Sequence, residues 1–137
     1  ATRCVTADAV RGGAAAAGGD AAGGHPRDFS TIAVSDGVGV SHGGMKFCGV
    51  CRELIAESIE AVVQGHADDA LIGFGGCDKT LPGVMMGIVR CNVPGIFICG
   101  GAALPGRFDG KDVSVLDAYE AVGAVQTGHM SEADLAR

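Results

Sequence analysis

Three short apolar runs, Thr31-Ile32-Ala33-Val34, Ala70-Leu71-Ile72-Gly73-Phe74 and Pro94-Gly95-Ile96-Phe97-Ile98-Cys99, constrain this chain most. Each closes on a turn: Ser35-Asp36-Gly37, then Gly75-Gly76-Cys77-Asp78-Lys79, then Gly100-Gly101. Runs that are apolar at successive positions read as strands buried on both faces, and such strands belong in parallel sheets. Between them, residues 45–64 place Leu54, Ile55, Ile59, Val62 and Val63 at helical spacing, with Arg52, Glu53, Glu57 and Glu60 elsewhere on the surface. A helix is also predicted through Val84, Met85, Ile88 and Val89, and another amphipathic stretch over 113–125. The Ala-rich residues 7–24 read as a weak helix followed by a loop. Strands alternating with helices specify an α/β fold, three-layered α/β/α around a mainly parallel sheet. In such folds ligands gather beyond the carboxyl ends of the strands, where Asp36, Cys77, Asp78, Lys79 and Gly100-Gly101 fall.

Composition narrows the function classes. The 24 Gly lack a three-residue period and accompany only 4 Pro, which excludes collagen, and an apolar fraction of 47% argues against a disordered linker. What remains is a chain that needs tight turns or close backbone approach. Ten basic residues against 16 acidic ones give a net charge of −6 with no basic cluster, so neither nucleic acid nor an anionic membrane is an expected partner. An anionic substrate would need a local device to hold it. No apolar run approaches the roughly 18 residues of a membrane span. The expected location is the cytoplasm, or an organelle matrix or stroma in a eukaryote. The length suits one domain. The chain starts without Met, and Ser131-Glu132-Ala133-Asp134 resembles the start of a helix that is then cut short, so a fragment is expected.

Chemistry concentrates in Gly75-Gly76-Cys77-Asp78-Lys79-Thr80, where a thiol, a carboxylate and an amine stand side by side after a strand. The alternative is a surface turn with a half-buried Cys. Asp36 before Gly37 is by itself ordinary turn chemistry. Cys48-Gly49-Val50-Cys51 has the spacing of a redox pair or half a zinc site. No buried strand precedes it and no second half completes a zinc set, so helix packing is the expected role. The remaining Cys read as core residues, and His25, His66 and His129 as solvent-exposed.

Longer strings carry a resemblance. Residues 29–37, Gly44-Met45-Lys46, Arg52-Glu53, Ser58-Ile59-Glu60, Gly76-Cys77-Asp78-Lys79-Thr80-Leu81-Pro82-Gly83, Asn92-Val93-Pro94 and Leu104-Pro105-Gly106-Arg107 are similar to the N-terminal domain of the dihydroxy-acid and sugar-acid (phosphogluconate) dehydratase family. The resemblance runs along nearly the whole chain. It implies that residues 1–137 are part of an N-terminal cluster- and Mg²⁺-binding domain, the C-terminal domain being absent.

The resemblance also implies roles. Cys77 would be a thiolate ligand of an iron–sulfur cluster, [2Fe-2S] rather than [4Fe-4S]. Cys4, in Arg3-Cys4-Val5 where the family has P-C-N, would be a second. Asp36 and Asp78 would bind Mg²⁺, and Lys79 would be carbamylated to add an oxygen ligand. The family's His-Glu-Gly-Met reads His42-Gly43-Gly44-Met45 here. The implied reaction is loss of water from a small 2,3-dihydroxy acid such as 2,3-dihydroxyisovalerate, giving a 2-oxo acid in branched-chain amino-acid biosynthesis. The implied parent is a homodimer. Hard oxygen ligands suit Mg²⁺ and soft thiolates suit iron, so the assignments agree with the donor chemistry. No catalytic base is expected within these residues, and the fragment alone is expected to be inactive. The alternatives are an aldonate dehydratase of the same family and a non-enzymatic thiol redox or metal-binding module using Cys48 and Cys51.

Overall fold

The computed structural model describes residues 2–40, 42–102 and 104–136, with side chains from residue 12 onward. Its elements are α1 (Thr2–Ala21), α2 (Asp36–Gly39), α3 (Met45–His66), β1 (Leu71–Gly75), α4 (Thr80–Cys91), β2 (Gly95–Cys99), β3 (Gly106–Phe108), β4 (Lys111–Val113), α5 (Val115–Gln126) and α6 (Glu132–Leu135). They divide into two compact units that meet in sequence at Gly101 and Ala102.

In the first unit β1 and β2 pair in parallel, with Leu71 opposite Gly95, Gly73 opposite Phe97 and Gly75 opposite Cys99. Parallel neighbours need a long crossover, and α4 supplies it. Burial alternates along β1: Leu71, Gly73 and Gly75 are buried while Ile72 is exposed. The buried face lies against α4, where a Cβ on Gly73 would sit 2.5 Å from Val84 Cγ1.

The core joins Cys51, Ile55, Ile59 and Val63 of α3 to Leu71, Val84 and Cys91, with Val34, Ile88, Val93 and Phe97 packed around them. Two glycines one turn apart set the spacing of α3 and α4. A Cβ on Gly83 would lie 3.0 Å from both Arg52 O and Ile55 Cβ, and one on Gly87 would lie 2.9 Å from Ile59 Cβ. Residue 83 meets 52 and 55 while 87 meets 59, so the two helices run in the same direction. Each ends on a left-handed residue, Ala67 at φ 55° and Asn92 at φ 51°.

One expected strand is absent. Residues 31–34 pair with no strand among the described residues and are extended chain laid on α3. The hydroxyls of Thr31 and Ser58 are hydrogen-bonded at 2.6 Å, Val34 packs against the core, and Arg27 is ion-paired with Asp68. Val34 is therefore used in packing without a backbone ladder, while Ile32 and Ala33 stay exposed, contrary to the expectation of a strand buried on both faces. Ser35-Asp36-Gly37 opens the single-turn helix α2 instead of closing a strand. The α/β class and the parallel character of the central sheet hold.

The second unit begins with a hairpin that periodicity did not suggest. β3 and β4 are antiparallel around Asp109 and Gly110, whose φ values of 46° and 78° are the two positive angles of a type I′ turn. At the start of α5, the Ser114 N–H and hydroxyl both donate to Asp117 Oδ2, at 2.5 and 2.7 Å. The helix expected at Ser131 is present, with Asp134 N–H donating to Ser131 Oγ at 3.1 Å. Among the described residues no helix is long and apolar enough to cross a membrane.

Candidate metal centre

The turn after β1 is built by glycine and threonine. A Cβ on Gly75 would lie 3.2 Å from Leu81 Cα, a tight approach that glycine relieves where the chain folds back onto the start of α4. Cys77 N–H donates to Thr80 Oγ1 at 2.9 Å, Thr80 Oγ1 donates to Cys77 O at 3.1 Å, and Leu81 N–H reaches the same carbonyl at 2.9 Å. Thr80 is itself buried. These bonds fix Cys77-Asp78-Lys79 as one rigid turn. Thr80 was not singled out from sequence as a site residue, although a hydroxyl at a helix start is a familiar signal for such a turn.

Asp36 comes to this turn from α2. Lys79 Nζ donates to Asp36 Oδ2 and to Asp78 Oδ2, each at 3.0 Å. The Cys77 thiol lies 3.6 Å from Ser35 Oγ and 3.3 Å from Asp78 Oδ1. Four of the five residues assigned from sequence, Asp36, Cys77, Asp78 and Lys79, are thus brought together. The fifth, Cys4, is on α1, and its side chain lies outside the described residues.

The electrostatics follow from this geometry. The Asp78 carboxyl, the Cys48 thiol and the Lys79 ammonium, in that order, hold the Asp36 carboxyl down to about 2. Asp78 first and Asp36 second push the Lys79 amine up, stabilising its cation. Cys48 answers in the opposite direction: the Asp36 carboxylate, with burial behind it, pushes the thiol up to about 11. The proximity of Cys48 to Asp36 was hidden in the sequence by the C-x-x-C spacing, which directs attention to Cys51.

Oδ1 of Asp36 is buried and has no hydrogen-bond partner. A carboxylate oxygen left in that state costs free energy unless something positive or a donor meets it. Two carboxylates already clasp a cation, the Lys79 ammonium, and an unused oxygen points to capacity for more positive charge. A hard divalent ion fits this donor set. Among the described residues no three His, Cys, Asp or Glu side chains form a metal cluster by themselves, so such an ion needs a further oxygen donor. The thiol alternative fares worse, because Cys48 and Cys51 are both buried, at 2% and 3% exposure, and unbridged.

Comparison with known proteins adds an independent line. The family model described as dihydroxy-acid/6-phosphogluconate dehydratase N-terminal matches residues 4–137. The chain is 65% identical over 124 residues to dihydroxy-acid dehydratase 3 of Bradyrhizobium diazoefficiens, covering 90% of this chain and 21% of that protein. It is 54% identical over 115 residues to dihydroxy-acid dehydratase of Pelagibacter ubique, covering 84% of the chain and 20% of the relative. It is 51% identical over 113 residues to the Pyrococcus abyssi dihydroxy-acid dehydratase, covering 82% and 20%. The chain therefore spans about a fifth of the length of these relatives.

Proposed function

Because the chain belongs to the dihydroxy-acid/6-phosphogluconate dehydratase family, we propose that it supplies part of the metal site of a dihydroxy-acid dehydratase. The reaction is loss of water from a 2,3-dihydroxy acid such as 2,3-dihydroxyisovalerate, giving a 2-oxo acid for branched-chain amino-acid biosynthesis. One observation carries the reading: Asp36 and Asp78 converge on Lys79 Nζ while Asp36 Oδ1 is left buried without a donor.

Asp36, Asp78 and a carbamylated Lys79 would hold Mg²⁺, and Cys77, with Cys4, would hold an iron–sulfur cluster, [2Fe-2S] in this reading. When bound, the ion supplies positive charge for the substrate carboxylate and the developing enediolate, and the cluster supplies Lewis acidity at the departing hydroxyl. The residues of this chain prepare that site. Lys79 would first give one ammonium proton to water. The neutral Nζ then attacks carbon dioxide: the N–C bond forms as one C=O π bond opens onto oxygen, a second proton passes from nitrogen to water, and an anionic carbamate replaces the ammonium. The donor set then changes from two carboxylates around a cation to three anionic oxygen groups. Thr80 holds the Cys77 turn, so the thiol, the Asp78 carboxylate and Lys79 keep their relative placement. Positive charge at Asp36 and Asp78 would let an acidic chain retain an anionic substrate. No residue here is assigned as the base that removes the α-proton, and these residues alone are not expected to turn over. The parent enzyme in this reading is a homodimer.

Anaerobic reconstitution with iron and sulfide tests the reading. Iron per folded chain should fall for Cys77→Ser and persist for Cys51→Ser. Equal iron in both variants, or loss only in Cys51→Ser, overturns the cluster assignment. Robust turnover of 2,3-dihydroxyisovalerate by the reconstituted chain alone would contradict its expected inactivity.

A further inference from the structure

Asp36 opens a helix of only four residues, α2, and one helical turn does not hold itself in water. Something outside the turn must fix it. Its start is bonded internally: Val38 and Gly39 N–H both donate to Ser35 O at 3.1 Å, and Val40 N–H donates to Asp36 O at 2.8 Å. Its last carbonyls have no continuing helix to meet them. His42 meets them. Its Nε2 lies 2.9 Å from Val38 O, and its own N–H donates to Gly39 O at 3.4 Å.

The other side of the same imidazole faces α3. Gly44 N–H donates to His42 Nδ1 at 2.9 Å, and Met45 N–H donates to His42 O at 3.2 Å. Gly44 is the N-cap of α3 and has no side chain of its own to cap it. A Cβ on Gly44 would fall 2.4 Å from His42 Cε1, so the ring occupies the space a side chain would take. A ring that accepts a hydrogen bond at Nδ1 and meets a carbonyl at Nε2 is the neutral imidazole carrying its hydrogen on Nε2. That single tautomer terminates α2 and starts α3 together. Gly39, between them, is buried, and a Cβ there would lie 3.4 Å from Met45 N and 3.6 Å from Cys48 Sγ, so the corner is closely packed.

We propose that His42 is a positioning residue for Asp36: by clasping α2 to α3 it sets where the carboxylate stands relative to Asp78 and Lys79. The inference rests on the cation-site reading above and deepens it. Removing the clasp should leave the α3–α4–sheet core intact, because His42 is exposed and contributes nothing to that core. What should change is the geometry of the carboxylate, and with it cation binding.

Mn²⁺ read by electron paramagnetic resonance, as a stand-in for Mg²⁺, tests this on the full chain in bicarbonate buffer. Wild type is compared with His42→Ala, His42→Asn and Asp36→Asn. Asp36→Asn should abolish the site. His42→Ala should weaken Mn²⁺ binding about tenfold, the scale seen when an outer partner of a metal ligand is lost. His42→Asn, whose carboxamide offers one donor and one acceptor, should recover most of it. Wild-type affinity in His42→Ala overturns this inference and leaves the cation site standing. Wild-type affinity in Asp36→Asn removes the cation site and the inference with it. Nitrogen-15 spectra of the wild-type ring give a second measurement independent of folding in the variants: hydrogen on Nε2 is expected, and hydrogen on Nδ1 overturns the clasp.

Discussion

Lys79 Nζ stands 3.0 Å from Asp36 Oδ2, across 43 residues of sequence, and so ties the turn after β1 to the one-turn helix α2. The same amine holds Asp78 at 3.0 Å. Two segments that share no backbone hydrogen-bond ladder are joined through one ammonium group. The ion pair is therefore both a structural link and the place where a divalent ion would have to act.

Acid should loosen that link within a defined window. Folding favours ionised Asp36, whose pKa is held to about 2 from its ordinary 3.8. Its contribution to stability is full above 3.8 and is lost as pH falls through about 2. Lys79 has the opposite sign: its pKa is raised, by Asp78 first, so its contribution is full below 10.5 and is lost only as pH climbs past the raised value. Urea-unfolding midpoints should drop between about pH 4 and pH 2 in wild type, and the drop should shrink in Asp36→Asn. Parallel curves for the two proteins would show that Asp36 does not titrate in this way.

Removing the ammonium should expose the demand for a cation. In Lys79→Met the Asp36 and Asp78 carboxylates face one another with nothing positive between them, and like charges at short range repel. The variant should melt below wild type in chelator-treated buffer. Millimolar Mg²⁺ should raise its melting temperature, since a ligand that binds only the native state stabilises it by mass action. The double variant Asp36→Asn/Lys79→Met should not respond to Mg²⁺.

Gly83 and Gly87 make a sharper stability prediction. Alanine at either position puts a methyl about 3 Å from Ile55 or Ile59, with Arg52 O equally close to Gly83. Overpacking of this kind costs about 1–3 kcal/mol, which urea denaturation can resolve. Gly49, on α3, has nothing within 4 Å of its absent Cβ, so Gly49→Ala should stabilise by about 0.5–1 kcal/mol. A destabilised Gly49→Ala would mean that helix propensity does not govern that position.

Periodicity located α3, α4 and β1 because each buries a patterned face; β2 forms where its apolar run lies although none of its residues is fully buried and Ile96 is exposed. It failed at residues 31–34, where no strand forms, Ile32 and Ala33 stay exposed, and two positions take partial cover without a ladder. Thr31 and Val34 find it on α3. The β3–β4 hairpin had a legible signal, Asp109-Gly110 between short polar-apolar segments, which carries less weight in strands of three residues. The Cys77-Asp78-Lys79 turn was visible because its thiol, carboxylate and amine are consecutive. Asp36 was grouped with that turn by the strand-end rule, applied to a strand that does not form, and by the family resemblance; the contact itself, across 43 residues, leaves no local trace. His42 and Cys48 were missed for the same reason: their partners are set by a corner between two helices.

Thiol chemistry separates the metal-site reading from the thiol-module alternative on the native chain. Cys48, Cys51 and Cys91 are buried, whereas Cys77 is half-buried and Cys99 exposed. Burial also pushes the Cys91 thiol up, and the Asp36 carboxylate pushes Cys48 up to about 11. At pH 8 roughly one Cys48 in a thousand would be a thiolate, and the thiolate is the form that alkylates. Iodoacetamide followed by peptide mass spectrometry should modify Cys99 and Cys77 well before Cys48, Cys51 or Cys91. A divalent ion bound at Asp36 and Asp78 should leave Cys99 labelling unchanged and slow that of Cys77, whose sulfur lies 3.3 Å from Asp78 Oδ1. Rapid labelling of Cys48 and Cys51 in the folded chain would instead favour a working thiol pair, and would count against Cys48 as the buried neighbour of a metal-binding carboxylate.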